Sequence, residues 1–149
     1  MVITVLASGV FDLIHYGHIR FLEEAKREGG EDAKLIVIVA RDETVRRLKG
    51  RMPIIPEDQR RALVESLKVV DEALLGYEKM DLAAVIERIK PDIVAVGHDQ
   101  GEIEKLIYRV QREKNLSLRI VKIGKFGQSD LDSSSKIKRK IVEDLISRP

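Results

Sequence analysis

The chain contains no cysteine among its 149 residues. Disulfide bonds, thiolate metal sites and a cysteine nucleophile are therefore excluded. No apolar run approaches the ~20 residues that span a bilayer, and the first residues lack the basic segment of a signal peptide, so we expect a cytoplasmic protein that does not bind membranes. The charges nearly cancel, to a net +2, which argues against general binding to nucleic acid.

The length of the chain favours one domain covering residues 1–149, and no repeat, low-complexity tract or linker divides it. Apolar, β-branched runs alternate with helix-type periodicity, which predicts an α/β fold with a Rossmann-like, doubly wound parallel sheet of five strands. The strands are predicted over 2–7, 35–40, 69–75, 93–96 and 117–123, and the helices over 18–28, 57–66, 82–89, 102–114 and 135–146. The polar, proline-broken segment 41–60 predicts a functional loop.

One short stretch, GVFDLIHYGH at 9–18, holds two of the three histidines and directly follows the first predicted strand. We call it the signature loop. Ligands of doubly wound sheets bind beyond the carboxyl ends of the strands, and a loop that enters a helix offers free backbone N–H groups to an anion. We therefore expect His15 and His18 to donate to phosphate oxygens, and Gly9 and Gly17 to let the backbone approach the ligand.

Other phosphate or metal motifs are not matched here. The loop lacks the GK[ST] of a Walker A sequence and the spacing of G-x-G-x-x-G. The two histidines supply only two zinc ligands, and no carboxylate is spaced to complete a zinc site, so we predict no protein-held metal.

The signature loop resembles the G-[TV]-F-D-x-x-H-x-G-H motif of the cytidylyltransferase-like nucleotidyltransferases. DSSSKI, at 132–137, resembles their second motif, a serine- and threonine-rich stretch that opens the last helix. The segment 36–76 is similar to archaeal-type FAD synthetases and to glycerol-3-phosphate cytidylyltransferases. The resemblance covers nearly the whole chain and implies an enzyme that moves a nucleoside monophosphate from a triphosphate to a phosphate-bearing acceptor, releasing pyrophosphate.

The resemblance implies ATP and FMN as substrates, with CTP and glycerol 3-phosphate, or a related polyol or sugar phosphate, as the alternative pair. Magnesium or another divalent metal is implied with the triphosphate, and a homodimer is implied because relatives usually dimerise. Two interpretations from other classes remain open: a nucleotide-binding regulator without catalysis, and a fragment of a class I aminoacyl-tRNA synthetase.

Three residues carry the implied chemistry: His18 at the α-phosphate, His15 at the triphosphate, and Lys49 at the α-phosphate and the acceptor. Nucleotide-binding roles fall on the strand end and signature loop, on the segment after the fourth strand, and on the serine triplet, whose alternative role is N-capping. These residues are Ser8, Gly9, Val10, Phe11, Gly17, Asp99, Ser133, Ser134 and Ser135. His98 contacts the base or lies at the rim of the site.

The roles of four further positions are less direct. We expect Asp12 to order the loop through backbone N–H groups. Arg51 and Arg60 are phosphate contacts or members of a solvated charge run. Gln128 stands near the place where cytidylyltransferases usually carry an arginine, and a nearby lysine is the candidate replacement: Lys122, Lys125 or Lys136.

The apolar pair Ile54 and Ile55 lies outside every predicted strand and helix, in the proline-flanked segment MPIIP. Large apolar side chains on a strongly charged surface require an explanation. We expect these two at a subunit contact or in the wall of a substrate pocket.

Overall fold

A computed structural model of the chain describes residues 2–79, 81–125 and 133–148. Every strand pairing in this part of the chain is parallel, and the strands lie in the order β3-β2-β1-β4-β5. The strands are β1 Thr4–Gly9, β2 Lys34–Val39, β3 Glu72–Leu75, β4 Ile93–Gly97 and β5 Arg119–Ile123. The helices are α1 Tyr16–Arg27, α2 Asp42–Lys49, α3 Glu57–Glu65, α4 Leu82–Ile89, α5 Gly101–Lys114 and α6 Ser134–Ser147.

Helices cover both faces of this sheet, as the doubly wound prediction requires. On one face, Leu22 and Ala25 of α1 and Val64 of α3 pack against alternate residues of the strands. On the other face, Val85 of α4 and Ile107 of α5 pack against the intervening strand residues. The strand order changes direction between β1 and β4, so the signature loop leaves the sheet at its topological switch point, where ligands of such folds bind.

The predicted α/β class, the parallel sheet and its five strands are confirmed. The functional loop predicted over 41–60 is wrong in its first half, because α2 occupies Asp42–Lys49. Val45 and Leu48, three residues apart, are the large apolar side chains among its eight residues, and two such positions are too few to predict a helix. The sequence nonetheless contains a signal for the end of this helix, because Gly50 ends it in the left-handed conformation at φ 72°.

The last helix, α6, differs from the others because none of its residues is buried. It is amphipathic, with a row of large apolar side chains that are more than half exposed: Ile141, Val142, Leu145 and Ile146. No helix in the described ranges is long and apolar enough to cross a bilayer.

Candidate active site

An open cleft of about 1120 Å³ lies at the carboxyl ends of the strands. Its lining is drawn from the β1–α1 loop, the end of α2, the segment after β4 and the start of α6. The twelve residues to which the resemblance assigns catalytic or nucleotide-binding roles all contribute to it: Ser8, Gly9, Val10, Phe11, His15, Gly17, His18, Lys49, Asp99, Ser133, Ser134 and Ser135. Two motifs that lie more than a hundred residues apart in sequence therefore meet at one site.

The signature loop has an unusual backbone. Phe11 and Leu13 have φ angles of 55° and 51°, a left-handed conformation that non-glycine residues adopt rarely and at a cost in energy. Gly9 is needed by the same turn, because a Cβ there would lie 2.8 Å from the Phe11 ring. The turn thus buries Phe11 under the loop and leaves the backbone from Ser8 to Val10 along the cleft.

The two histidines of the loop cap α1 and fix each other's orientation. Nδ1 of His15 accepts the N–H of Gly17 at 3.1 Å, and Nδ1 of His18 accepts the N–H of His15 at 3.3 Å. The rings stack with their centroids 3.8 Å apart. Since each Nδ1 accepts, the ring proton of each imidazole is on Nε2, which is the nitrogen that can donate to a ligand.

His18 has a strongly shifted pKa. Burial, followed by the proximity of His15, lowers the pKa of His18 from 6.5 to about 4, against the opposing pull of Asp99 and Asp12. Lys49 also lowers it. His18 is therefore neutral at pH 7 in the unliganded protein, a donor through Nε2 rather than a fixed cation.

Asp12 does accept backbone N–H groups, although not those of its own loop. Its carboxylate accepts from Ile54 at 2.8 Å and from Ile55 at 2.9 Å. The Asp12 backbone carbonyl accepts the Ser134 hydroxyl, and Lys138 Nζ lies 3.9 Å from the Asp12 carboxylate. One buried aspartate thus joins the signature loop to the MPIIP segment and to α6.

The basic residues that the sequence analysis named after β2 divide into two groups. Lys49 and Arg51 are exposed and line the cleft at the end of α2. Arg60 is fully buried and is absent from the described lining, so neither of its two sequence interpretations, a phosphate contact or a solvated charge, holds.

The serine triplet has three different environments. The Ser133 side chain accepts the N–H of Lys136 at 3.2 Å and caps α6, and the Ser134 hydroxyl donates to Asp12. Ser135 is exposed on the cleft side of the first turn. Capping and tethering therefore occupy two of the hydroxyls, and Ser135 remains the best placed to contact a ligand.

On the opposite side of the cleft, the segment after β4 is held by a residue that the sequence analysis missed. The side chain of Gln100 accepts the N–H of Gly97 at 2.7 Å and donates to the carbonyl of Ser8 at 3.0 Å. It joins the ends of β1 and β4 while His98 and Asp99 stay exposed at the rim. Its place three residues beyond the end of β4, in VGHDQ, was the available signal.

Several lysines supply positive charge near the start of α6. Lys125, Lys136 and Lys138 line the cleft, whereas Lys122 lies 3.8 Å from Glu104 and is absent from the described lining. Lys125 and Lys136 therefore remain candidates to supply the positive charge that an arginine supplies in relatives. Gln128 itself lies outside the described residues.

Comparison with known proteins agrees with this geometry. The cytidylyltransferase-like family profile matches residues 6–140. Two proteins named FAD synthase, from Methanothermobacter marburgensis and Methanopyrus kandleri, are 50% and 45% identical over 139 residues; the matches cover 93% of this chain and 84% and 91% of theirs. A solved structure from Thermoplasma volcanium, titled a lipopolysaccharide core biosynthesis protein, is 41% identical with a TM-score of 0.76, and the match covers 85% of this chain and 100% of that one.

The chain belongs to the cytidylyltransferase-like family, since the match extends over nearly its whole length. The resemblance identified from the two motifs is thereby confirmed. The name that two of the relatives carry, FAD synthase, concerns the activity.

Proposed function

We propose that this nucleotidyltransferase is an FMN adenylyltransferase, which converts ATP and FMN to FAD and pyrophosphate. The relatives at 42–50% identity over more than nine-tenths of the chain are named FAD synthase. The observation from the site that supports a flavin acceptor is the chemistry of one half of the cleft.

The half of the cleft next to β2 and β3 is apolar and poorly covered. Leu48 and Met52 are 64% and 51% exposed, although both line the cleft, and Tyr77 is 38% exposed. Behind them lie more deeply placed apolar side chains of β2, α2 and α4: Ile38, Val45, Leu82 and Val85. A tricyclic isoalloxazine ring would remove this surface from water, at about 25 cal/mol per Å², whereas a glycerol phosphate would leave it exposed.

In the proposed reaction, an oxygen of the FMN phosphate attacks the α-phosphorus of ATP. The new P–O bond forms as the bond from that phosphorus to the bridging oxygen of the β-phosphate breaks, and pyrophosphate leaves with the electron pair. The attacking phosphate is largely dianionic at neutral pH, since its second pKa is about 6, so no general base is needed. The barrier is electrostatic, and catalysis consists of positioning and charge stabilisation.

The residues divide this work between them. His18 and His15 donate from Nε2 to the α-phosphate and the neighbouring phosphates, in a geometry that is already fixed by their backbone hydrogen bonds. Lys49 neutralises charge between the α-phosphate and the acceptor. Backbone N–H groups of the signature loop and Ser135 bind the remaining triphosphate oxygens, and Asp99 accepts from the ribose or the base.

A pyrophosphate-release assay tests this proposal. The protein is incubated with ATP or CTP against a panel of FMN, glycerol 3-phosphate and sugar phosphates, and the FAD formed is measured by chromatography. We expect release with ATP and FMN together, matched in amount by FAD. Turnover with CTP and a polyol phosphate instead would overturn the flavin assignment, and no turnover with any pair would favour the regulator.

Magnesium, in this proposal, enters with the triphosphate. In the described part of the chain no three metal-ligating side chains cluster, and both carboxylate oxygens of Asp12 already accept N–H groups. The ion would therefore be held by phosphate oxygens and water, with Asp99 of the cleft lining as the candidate carboxylate. Bound there, it supplies charge neutralisation for the departing pyrophosphate.

Dimerisation is part of the proposal as well. Ile54 is 60% exposed, and neither Ile54 nor Ile55 is among the described residues that line the cleft, which favours a subunit contact over a pocket wall. The apolar row of α6 is the competing surface. Light scattering of the wild type, Ile54→Asp and Leu145→Asp separates the two: we expect a wild-type dimer that only Ile54→Asp dissociates, and a wild-type monomer would refute the dimer.

A further inference from the structure

Arg60 of α3 is the largest fully buried side chain in the described ranges. An arginine stays charged at every physiological pH, and a buried charge is tolerated only when its donors are satisfied. Its guanidinium makes four hydrogen bonds. Nε donates to the carbonyl of Ile55 at 2.8 Å, Nη1 to the carbonyls of Val10 at 2.7 Å and Ala40 at 2.8 Å, and Nη2 to the Asp42 carboxylate at 2.6 Å.

These acceptors belong to three separate pieces of the site. Val10 is in the signature loop, Ala40 and Asp42 lie where β2 passes into α2, and Ile55 lies in the MPIIP segment. Asp12 adds a second link between the first piece and the third, through the N–H groups of Ile54 and Ile55. The guanidinium therefore fixes the distance between the signature loop and both ends of the stretch from Asp42 to Ile55.

The middle of that stretch has little support beyond an exposed hydrogen bond from Arg47 Nη2 to the carbonyl of Glu78 at 3.1 Å. Every residue from Arg46 to Met52 is exposed, and this part contains Lys49. At the start of α2, Glu57 accepts from the Asp42 N–H at 3.0 Å and pairs with Arg41 at 3.2 Å, and Arg41 Nε also donates to the carbonyl of Gly76 at 2.7 Å. The position of Lys49 relative to His18 thus depends on the anchored ends.

We propose that Arg60 is a positioning residue for the transfer reaction: by joining Val10, Asp42 and Ile55, it holds the Lys49 segment against the signature loop. The proposal rests on the proposed function for its reaction. Arg60 does not line the cleft and touches no substrate, so it acts through Lys49 and not on the phosphates themselves.

The first test replaces Arg60 by lysine, which keeps the charge but loses the planar fork that spans the acceptors. We expect kcat to fall by about 10- to 100-fold, as for a small misplacement of a catalytic group and no further than the loss of Lys49 itself would lower it, with little change in KM for ATP. Arg61→Lys is the matched control: the neighbouring Arg61 pairs with Glu65 and the carbonyl of Ala73, away from the cleft, and its substitution should leave kcat unchanged.

A double-mutant comparison separates positioning from a general structural effect. In a Lys49→Ala background, Arg60→Lys should reduce kcat much less than in the wild type, because the group that it positions is gone. An equal fold-reduction in both backgrounds, or a wild-type kcat in Arg60→Lys alone, would overturn the proposal. If Arg60→Lys does not fold, Asp42→Asn removes one charge-assisted partner and undergoes the same comparison.

A measurement that needs no substrate distinguishes a failure of this proposal from a failure of the proposed function. Trypsin sites at Arg46, Arg47, Lys49 and Arg51 lie in the exposed stretch. We expect faster cleavage there in Arg60→Lys than in Arg61→Lys, at equal global stability, and equal cleavage would count against the proposed link. If the wild type makes no FAD, the flavin function fails, and the kinetic comparison is made with whichever acceptor of the panel reacts.

Discussion

The floor and the rim of the cleft are built differently. The floor, residues 8–18, is partly or fully buried apart from Tyr16, and reciprocal hydrogen bonds fix its two histidines. The rim, formed by residues 46–52 and 133–136, is mostly exposed and is attached to the floor chiefly through Asp12, Arg60 and Ser134. The floor is therefore arranged before substrate arrives, whereas the rim can complete its contacts only with substrate present.

This contrast predicts where each substitution acts. A change in the floor removes a preorganised donor and lowers the rate whatever the rim does. A change in the rim removes contacts made on closure, which count mainly in the transition state or in ligand affinity.

His18→Ala should have the largest effect. The protein should fold normally and lose about 100- to 1,000-fold in turnover, the cost of one preorganised donor at a developing charge. Steady-state pyrophosphate release measures it. Tyr16→Ala, at an exposed residue of the same helix turn that is not in the described lining of the cleft, is the control. A loss smaller than about tenfold would contradict the transition-state role, and an unfolded variant would indicate a structural one.

The lowered pKa of His18 also makes stability depend on pH. The unfolded chain, with the histidine near 6.5, binds a proton more readily than the native state, with its pKa at about 4. The free energy of unfolding should therefore fall as the pH drops from about 6.5 to about 4, by up to about 3 kcal/mol from this group. Urea titrations of the wild type and His18→Gln at several pH values check this, and parallel curves for the two proteins would contradict the shift.

Lys49→Ala removes an exposed cation of the rim that lines the cleft. Losing a hydrogen bond to a charged group should slow the single-turnover rate by about 10- to 100-fold, while ATP affinity by calorimetry changes little. Arg46→Ala is the control, since Arg46 pairs with Glu43 and is not in the described lining. A large loss of affinity at an unchanged rate would place Lys49 in ground-state binding.

The same contrast explains what could be predicted from the sequence. The sheet and the floor were predictable because β1 and β2 are continuous apolar runs and because the signature loop is contiguous in sequence. The rim was not: α2 has two large apolar side chains, Val45 and Leu48, among eight residues, too few to distinguish a short helix from a charged loop.

The partners of Arg60 were also beyond prediction. Three of its four acceptors are backbone carbonyls, 5 to 50 residues away, and any residue type supplies a carbonyl. The composition shows an arginine in a charged helix, which is ordinarily solvated, and only the packing of α3 against the strand ends makes it a buried link.

The smallest expected effects separate the three serines of the rim. Ser135→Ala should weaken ATP binding by about fivefold, the value of one ordinary hydrogen bond, with no change in helix protection. Ser133→Ala should instead remove the cap of α6, at about 1 kcal/mol, and raise amide hydrogen exchange along that helix, which has no buried residue to hold it. Calorimetry with ATP and hydrogen exchange on both variants measure the two effects. If Ser135→Ala bound ATP like the wild type while Ser133→Ala lost both protection and affinity, the triplet would serve the helix, and the phosphate would be held by its backbone N–H groups alone.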